Sequence, residues 1–210
     1  MLCTVATQQA DISQSVWAAI EPETARRLLL AAVDVFAEVG YHAASTREIA
    51  QRAGLSPAGM YAFYASKAQL LETISTIGHK AALDTFNAAL DEEQTVSARV
   101  WSSVQALAEW HAKNHQLARV VQRELRALPP PALKRIGVVR RRFAGLLEAE
   151  LSRGVETEEF AITDIHATAN AMLSLCIDIT RWYTPRGRYS PHQLGVLYAD
   201  LSIRMVRRAS

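Results

Sequence analysis

From residue 21 onward, apolar side chains return every three or four positions, in runs opened by Ser, Thr or Pro and mostly closed by Gly or Pro. That spacing is the one-sided stripe of amphipathic α-helices, and no run of useful length alternates as a half-buried strand would. Leu28, Leu29, Ala32, Val35, Phe36 and Val39 make the first stripe, with Gly40 expected as its left-handed stop. Ser45 and Thr46 cap a two-turn helix that carries Ile49, Ala50 and Ala53 and ends at Gly54. Ser56-Pro57 opens a third helix through Met60, Tyr61 and Phe63, and Ser66 opens a longer one with Leu70, Leu71, Ile74, Ile77, Leu83 and Phe86. Five further stripes follow over about 95–115, 116–128 (stopped by Pro129-Pro130-Pro131), 132–154 (ended by Gly154), 163–183 and 191–208. The pattern predicts an all-α protein of about nine helices, with a small N-terminal module and a larger helical bundle.

Residues 1–20 are polar, rich in Gln, Ser and Thr, and read as a flexible N-terminal arm. The apolar runs are too short to span a bilayer, so no membrane partner is expected. No secretory signal pattern opens the chain, and Cys3 and Cys176 make no disulfide framework or metal finger; both observations predict a cytoplasmic protein. Net charge is +2 from 23 basic and 21 acidic side chains, so any electrostatic partner must be argued from where the charges lie.

Thr46-Arg47-Glu48-Ile49-Ala50-Gln51-Arg52-Ala53-Gly54-Leu55-Ser56 has the form of a helix-turn-helix. Ala50 is small where two helices pack closely, Gly54 accepts a positive φ in the turn, and Leu55 plugs the hinge. Together with Pro57-Ala58-Gly59-Met60-Tyr61-Ala62-Phe63-Tyr64-Ala65-Ser66-Lys67-Ala68-Gln69-Leu70-Leu71, this stretch resembles the TetR family of bacterial transcription regulators, over about Ala25–Leu71. The resemblance implies a helix-turn-helix DNA-binding domain over 21–67 and an effector-binding and dimerisation domain over 68–210. It implies a ligand-responsive DNA-binding regulator, a homodimeric repressor that leaves a palindromic operator when a small hydrophobic effector binds. It also implies that Thr46, Tyr61 and Lys67 touch DNA phosphates, while Ser56, Ala58, Gly59 and Phe63 fall on or beside the helix that enters the major groove and Arg47 lies on the helix before it. Tyr64 reads as a core aromatic.

Two positions depart from the family pattern. Phe63 stands where histidine is frequent, and Gly59 where a polar group is frequent, so the third helix offers only small surfaces at Ala58, Gly59 and Ala62. Such a helix can meet thymine methyls but has no side chain for bidentate base contacts, which shifts polar readout toward Arg47 and the arm. Residues 21–80 carry six basic (Arg26, Arg27, Arg47, Arg52, Lys67, Lys80) and six acidic (Glu21, Glu23, Asp34, Glu38, Glu48, Glu72) side chains, so long-range attraction to DNA is modest.

For the effector, the family grouping implies Trp101, Trp110, Phe143, Met172, Cys176 and Ile179 as pocket side chains; the alternative for each is ordinary core. Between His115 and Arg153 lie nine basic residues (Arg119, Arg123, Arg126, Lys134, Arg135, Arg140, Arg141, Arg142, Arg153) against three acids (Glu124, Glu148, Glu150). The excess reads either as a solvated face or as arginine forks for an anionic effector, with Arg123 and Arg140 as candidates. The run from Leu117 to Pro129, with Arg181-Trp182-Tyr183 and Tyr189-Ser190-Pro191, looks like an actinobacterial branch of the family in which some members sense CoA thioesters, which implies an acyl-CoA effector. No cofactor is expected. An enzyme is the first rival: His111 and His115 make a helical metal-type pair, but no third ligand follows, and neither a phosphate loop nor a nucleophile elbow is present, so no metal site is expected. The second rival is a helical binding module that does not engage DNA.

Overall fold

The structure is a computed structural model that describes residues 16–91 and 94–207. Among them are nine α-helices: α1 (Glu23–Ala43), α2 (Thr46–Arg52), α3 (Pro57–Tyr61), α4 (Lys67–Ala88), α5 (Val96–Lys113), α6 (His115–Arg123), α7 (Pro130–Glu156), α8 (Ile165–Trp182) and α9 (Pro191–Val206). A single 3-10 turn, Leu125–Ala127, follows α6, and the one β-type contact among the described residues is an isolated bridge between Phe160 and Arg207. The all-α expectation holds. Most of the expected flexible arm lies outside the described residues, but its last part does not: Trp17 is 2% exposed and belongs to the core.

Three boundaries differ from the sequence reading, each for a physical reason. Gly40 takes φ 81°, ψ 161°, an extended glycine conformation rather than a left-handed helical one, and one more turn follows to Ala43. It breaks α1 instead of ending it. The prolines at 129–131 do not keep the chain out of helix until Ala132; α7 starts at Pro130, because a proline in the first turn wastes no amide. Gly154 does not stop α7, which continues to Glu156; a β-carbon there would lie 2.0 Å from the Phe160 ring, so it is the close approach of that ring that requires glycine.

The chain divides into two compact units, one comprising the residues up to His79 with Gln116–Ile136, the other Lys80–His115 with the residues from Gly137 on. The division falls inside α4 and α7, not at the expected residue 67. In the first unit Leu28, Leu29, Phe36, Ile49, Met60, Leu70, Leu71 and Ile74 are fully buried, joined by Leu117, Val120 and Val121 of α6. Gly78 lets α6 approach α4, since a β-carbon there would meet Val121 Cγ2 at 3.1 Å.

In the second unit α9 lies antiparallel along α5. Trp101 Nε1 donates to Asp200 Oδ1 at 2.8 Å, and a β-carbon on Gly195 would sit 2.8 Å from the Gln105 carbonyl oxygen. His192 Nδ1 lies 3.2 Å from Glu109 Oε2, so the two helices run past each other in opposite directions. Val100, Val104, Leu107, Met172, Cys176, Ile179 and Leu194 fill the space between α5, α8 and α9. Arg99 Nε, at the start of α5, pairs with Glu150 Oε2 of α7 at 2.8 Å, with both side chains about nine-tenths buried.

Candidate nucleic-acid interface

The helix-turn-helix is built by side-chain caps. Ser45 Oγ accepts from the Glu48 amide at 3.0 Å, and Ser56 Oγ from the Gly59 amide at 3.1 Å. Such caps matter here because α2 has seven residues and α3 five, too few to persist unaided. Between them Gly54 takes φ 73° with open space around its missing side chain, so conformation alone selects glycine. Leu55 returns its amide to the Ala50 carbonyl at 2.8 Å, while Ile49, Ala50 and Met60 are fully buried beneath. Tyr64 is 8% exposed, a core aromatic as expected.

What remains outside is the other face. Arg47, Ser56, Ala58, Tyr61 and Phe63 are exposed, with Tyr61 at 51%, and Gly59 is half-buried. Tyr61 Oη and Thr46 Oγ1 lie 3.2 Å apart, which brings two hydroxyls together at the first turn of α2. Backbone amides and hydroxyls in this arrangement suit a phosphate oxygen. A β-carbon on Gly59 would meet only Ser56 Oγ at 3.5 Å and Leu55 Cβ at 3.6 Å, ordinary contacts. The fold therefore does not demand glycine there, and the bare backbone is a property of the outer surface. Arg52 is not available to a ligand: its guanidinium grips Glu38 at 2.6 and 2.9 Å and Glu48 at 3.4 Å. That bidentate contact holds the Glu38 carboxyl below its ordinary range. Arg47 has no ion pair among the described residues.

Lys67, expected beside a phosphate, is bonded here to the protein's own backbone. Its Nζ donates to the carbonyls of Tyr41 at 2.7 Å, Ala44 at 2.7 Å and His42 at 3.3 Å, and lies 4.6 Å from the centroid of the Tyr41 ring. An ammonium has three N–H groups, and here three carbonyls at the end of α1 take them. Tyr41 carries no signal of this role in the sequence, because a ring beneath a distant lysine leaves no local pattern.

The expected effector side chains divide. Trp110, Met172, Cys176 and Ile179 are buried in the second unit; Trp101 and Phe143 are half-buried, the latter 5.1 Å from Phe86 between ring centroids. Burial pushes the Cys176 thiol up to about 12, which makes it an apolar filler rather than a nucleophile. Arg140 is exposed on α7. Arg123 belongs to the first unit, whereas that group belongs to the second: its Nε donates to Glu124 Oε1 at 2.7 Å and a terminal nitrogen to the Phe36 carbonyl. Its fork is thus engaged by the protein itself. The histidine pair is likewise internal. His111 is 4% exposed with Nδ1 on the Leu107 carbonyl, and Asn114 interrupts the helix before His115, whose Nδ1 faces the Ala112 carbonyl. No cluster of three metal-type ligands occurs among the described residues.

Residues 28–74 match the family model described as bacterial regulatory proteins, tetR family, and residues 93–206 match that of the tetracyclin repressor-like C-terminal domain. The chain belongs to the TetR family. It is thus a DNA-binding transcription regulator, with α2 and α3 as its helix-turn-helix. A bacterial regulatory protein of the tetR family from Rhodococcus RHA1 superposes with a TM-score of 0.85 at 36% identity, covering 90% of this chain and 100% of that one. The fatty acid metabolism regulator protein of Bacillus subtilis is 24% identical over 165 residues, 78% of this chain and 85% of the relative. AibR, solved in complex with isovaleryl coenzyme A and operator DNA, shares the fold at 20% identity and a TM-score of 0.73, over 88% of this chain and 98% of that one. No described helix of this TetR-family chain is long and apolar enough to cross a membrane.

Proposed function

We propose that this regulator is a cytoplasmic homodimeric repressor that reads a palindromic operator through α3 and releases it when a small hydrophobic effector, a CoA thioester, binds the C-terminal unit. The observation that carries the DNA-reading part is the outer face of α3: capped, exposed and stripped of charge at Ala58, Gly59 and Ala62, beside the hydroxyls of Thr46 and Tyr61. A surface this smooth can lie close to base edges, with the hydroxyl pair and the first amides of α2 on a phosphate and the exposed Arg47 of α2 as a further cation. Ser56 and Phe63 flank the approach.

A second copy of the chain fits the exposed apolar row formed by Leu175 and Trp182 on α8 and Leu197, Leu201 and Met205 on α9, each 39–47% exposed. Side chains of this kind at i, i+4 and i+8 form one stripe, and pairing two such faces about a two-fold axis gives a four-helix contact. The CoA class rests on the relatives' names and ligands and on the exposed basic side chains Arg140, Arg141 and Arg142 of α7; a fatty end would have to part the buried side chains Met172, Cys176 and Ile179 of α8. Effector release requires that the effector bind the DNA-incompetent arrangement more tightly.

Selection of duplexes from a randomised pool by the purified protein, followed by titration of the winner, tests the reading. Gly59→Glu has room in the fold but places a carboxylate against phosphates; it is expected to abolish operator binding while leaving the thermal midpoint near that of the parent. Tyr61→Phe should weaken binding at an unchanged salt slope, since a neutral hydroxyl on a phosphate displaces no counterion. Parent-like binding by Gly59→Glu would remove α3 from the groove. A thermal-shift series of CoA thioesters, the matching free acids and aromatic cations tests the effector; stabilisation by the cations alone rejects the CoA class.

A further inference from the structure

Two cations from two different helices close the end of α1. Lys67, the first residue of α4, covers the carbonyls of Tyr41, His42 and Ala44. Arg123, the last residue of α6, reaches the Phe36 carbonyl, four residues before the break at Gly40. Its Nε is oriented by Glu124, whose side chain is only 10% exposed, so the pair is a fixed fork rather than a swinging surface arginine. Gly40 sits directly against this fork: a β-carbon there would lie 3.6 Å from Glu124 Oε1 and 3.9 Å from the Arg123 guanidinium. At the other end of α6, Gln116 Nε2 donates to Asp34 Oδ1 of α1 at 2.9 Å. Helix α6 is therefore fastened to α1 at both of its ends, and α2 begins three residues beyond the end of α1.

We infer that Arg123 is a positioning residue for operator recognition: by holding the Phe36 carbonyl against the Glu124 carboxylate, it sets the angle at which the helix-turn-helix leaves α1, without touching DNA. The inference rests on the DNA-reading role proposed above. The C-terminal end of a helix carries a partial negative charge on its unpaired carbonyls, so two cations there stabilise one geometry of the Gly40–Ala44 joint against others. Removing one of them leaves the caps, the α3 surface and the phosphate-facing hydroxyls in place but lets the reading helices take a wider range of angles, and the cost appears as weaker operator affinity.

The test uses the full chain and the duplex that the parent selects from a randomised pool, titrated by fluorescence anisotropy at several salt concentrations. The double variant Arg123→Met/Glu124→Gln removes the fork without stranding a buried carboxylate. It is expected to bind the selected duplex about tenfold more weakly, the factor that corresponds to one charge-assisted hydrogen bond of about 1.4 kcal/mol. The slope of log affinity against log salt should match the parent, and binding to an unrelated duplex should be unchanged. Arg123→Lys, which keeps the charge and one donor, should fall between the two and carries the test if the double variant does not fold. Affinity for the selected duplex within about twofold of the parent overturns the inference, whatever happens to effector response. Weaker binding accompanied by a slope reduced by about 0.9 also overturns it, since Arg123 would then be a phosphate contact. Failure of the parent to select any duplex would instead reject the DNA-reading role itself.

Discussion

Each of the two compact units is held together by its own means. In the unit that contains the helix-turn-helix, short helices are fixed by side chains bonded to backbone: Ser45, Ser56 and Ser66 on amides, Lys67 and Arg123 on carbonyls. In the other unit, helices of 16–18 residues and the second part of α7 pack through apolar stripes, close contacts at Gly154 and Gly195, and one nearly buried ion pair. The difference follows from length. A helix of five or seven residues leaves most of its amides and carbonyls without intrahelical partners, so polar side chains must supply them. A long helix satisfies its own backbone, and its stability depends on how well its face is filled. The first unit thus adds polar joints to its apolar core, while the second relies on packing, which suits a reader whose angle matters.

If that contrast is right, single substitutions should cost most in the packed body. Arg99→Ala strands Glu150, which among the described residues then keeps Arg153 at 2.9 Å, whose side chain is 56% exposed. Loss of a buried partner costs about 3 kcal/mol, and chemical denaturation should show it as a fall in midpoint at constant slope. A change below about 1 kcal/mol would mean that the pair is already solvated, and the contrast between the units would weaken. Next comes Gly154→Ala: the added methyl must displace the Phe160 ring, and overpacking of this kind costs about 2 kcal/mol. The Phe160 bridge to Arg207 and the Ala161 amide bond to the Val206 carbonyl should loosen with it, readable as faster amide exchange at Ala161. In the reading unit, Ser56→Ala removes one cap and should cost about 1 kcal/mol, but it should lower operator affinity by more than it lowers the thermal midpoint, because α3 is only five residues long and Pro57 alone remains to start it. Equal losses in both readouts would make the cap merely structural.

Legibility in the sequence follows the same line. The caps, the turn glycine and the recognition face are readable because each is a local signal, a Ser or Gly at a fixed distance from an apolar residue. Lys67 and Arg123 read in the sequence as phosphate and effector ligands, and their bonds to backbone carbonyls 26 and 87 positions away are not legible there, because a carbonyl has no letter. Gly154 looks like a stop because glycine serves both a turn and a close approach, and only the ring of Phe160 decides between them. The prolines at 129–131 look like a barrier for a similar reason: proline ends one helix and starts another equally well, and α7 begins on the second of them.

The smallest expected effect concerns Asp34, where the polar joint of the first unit borders its apolar core. Burial pushes its carboxyl above the ordinary aspartate value, against the opposing hydrogen bond from Gln116 and the charge of Arg52; Glu38 adds to the rise. A folded-state pKa raised above the unfolded one means that the folded protein holds the proton more tightly. Its contribution to stability is therefore fully present below the unfolded value and is lost as pH rises through the folded value. At neutral pH the ionised Asp34 is a slight burden that the Gln116 bond makes tolerable. Asp34→Asn keeps an acceptor for Gln116 and removes the charge, so it should stabilise the protein slightly at pH 7 and converge with the parent in acid, as paired denaturation curves at the two pH values would show. Destabilisation at pH 7 would instead mean that the carboxylate is held by the charge of Arg52 more strongly than burial opposes it, and that the reading unit depends on charge at this joint.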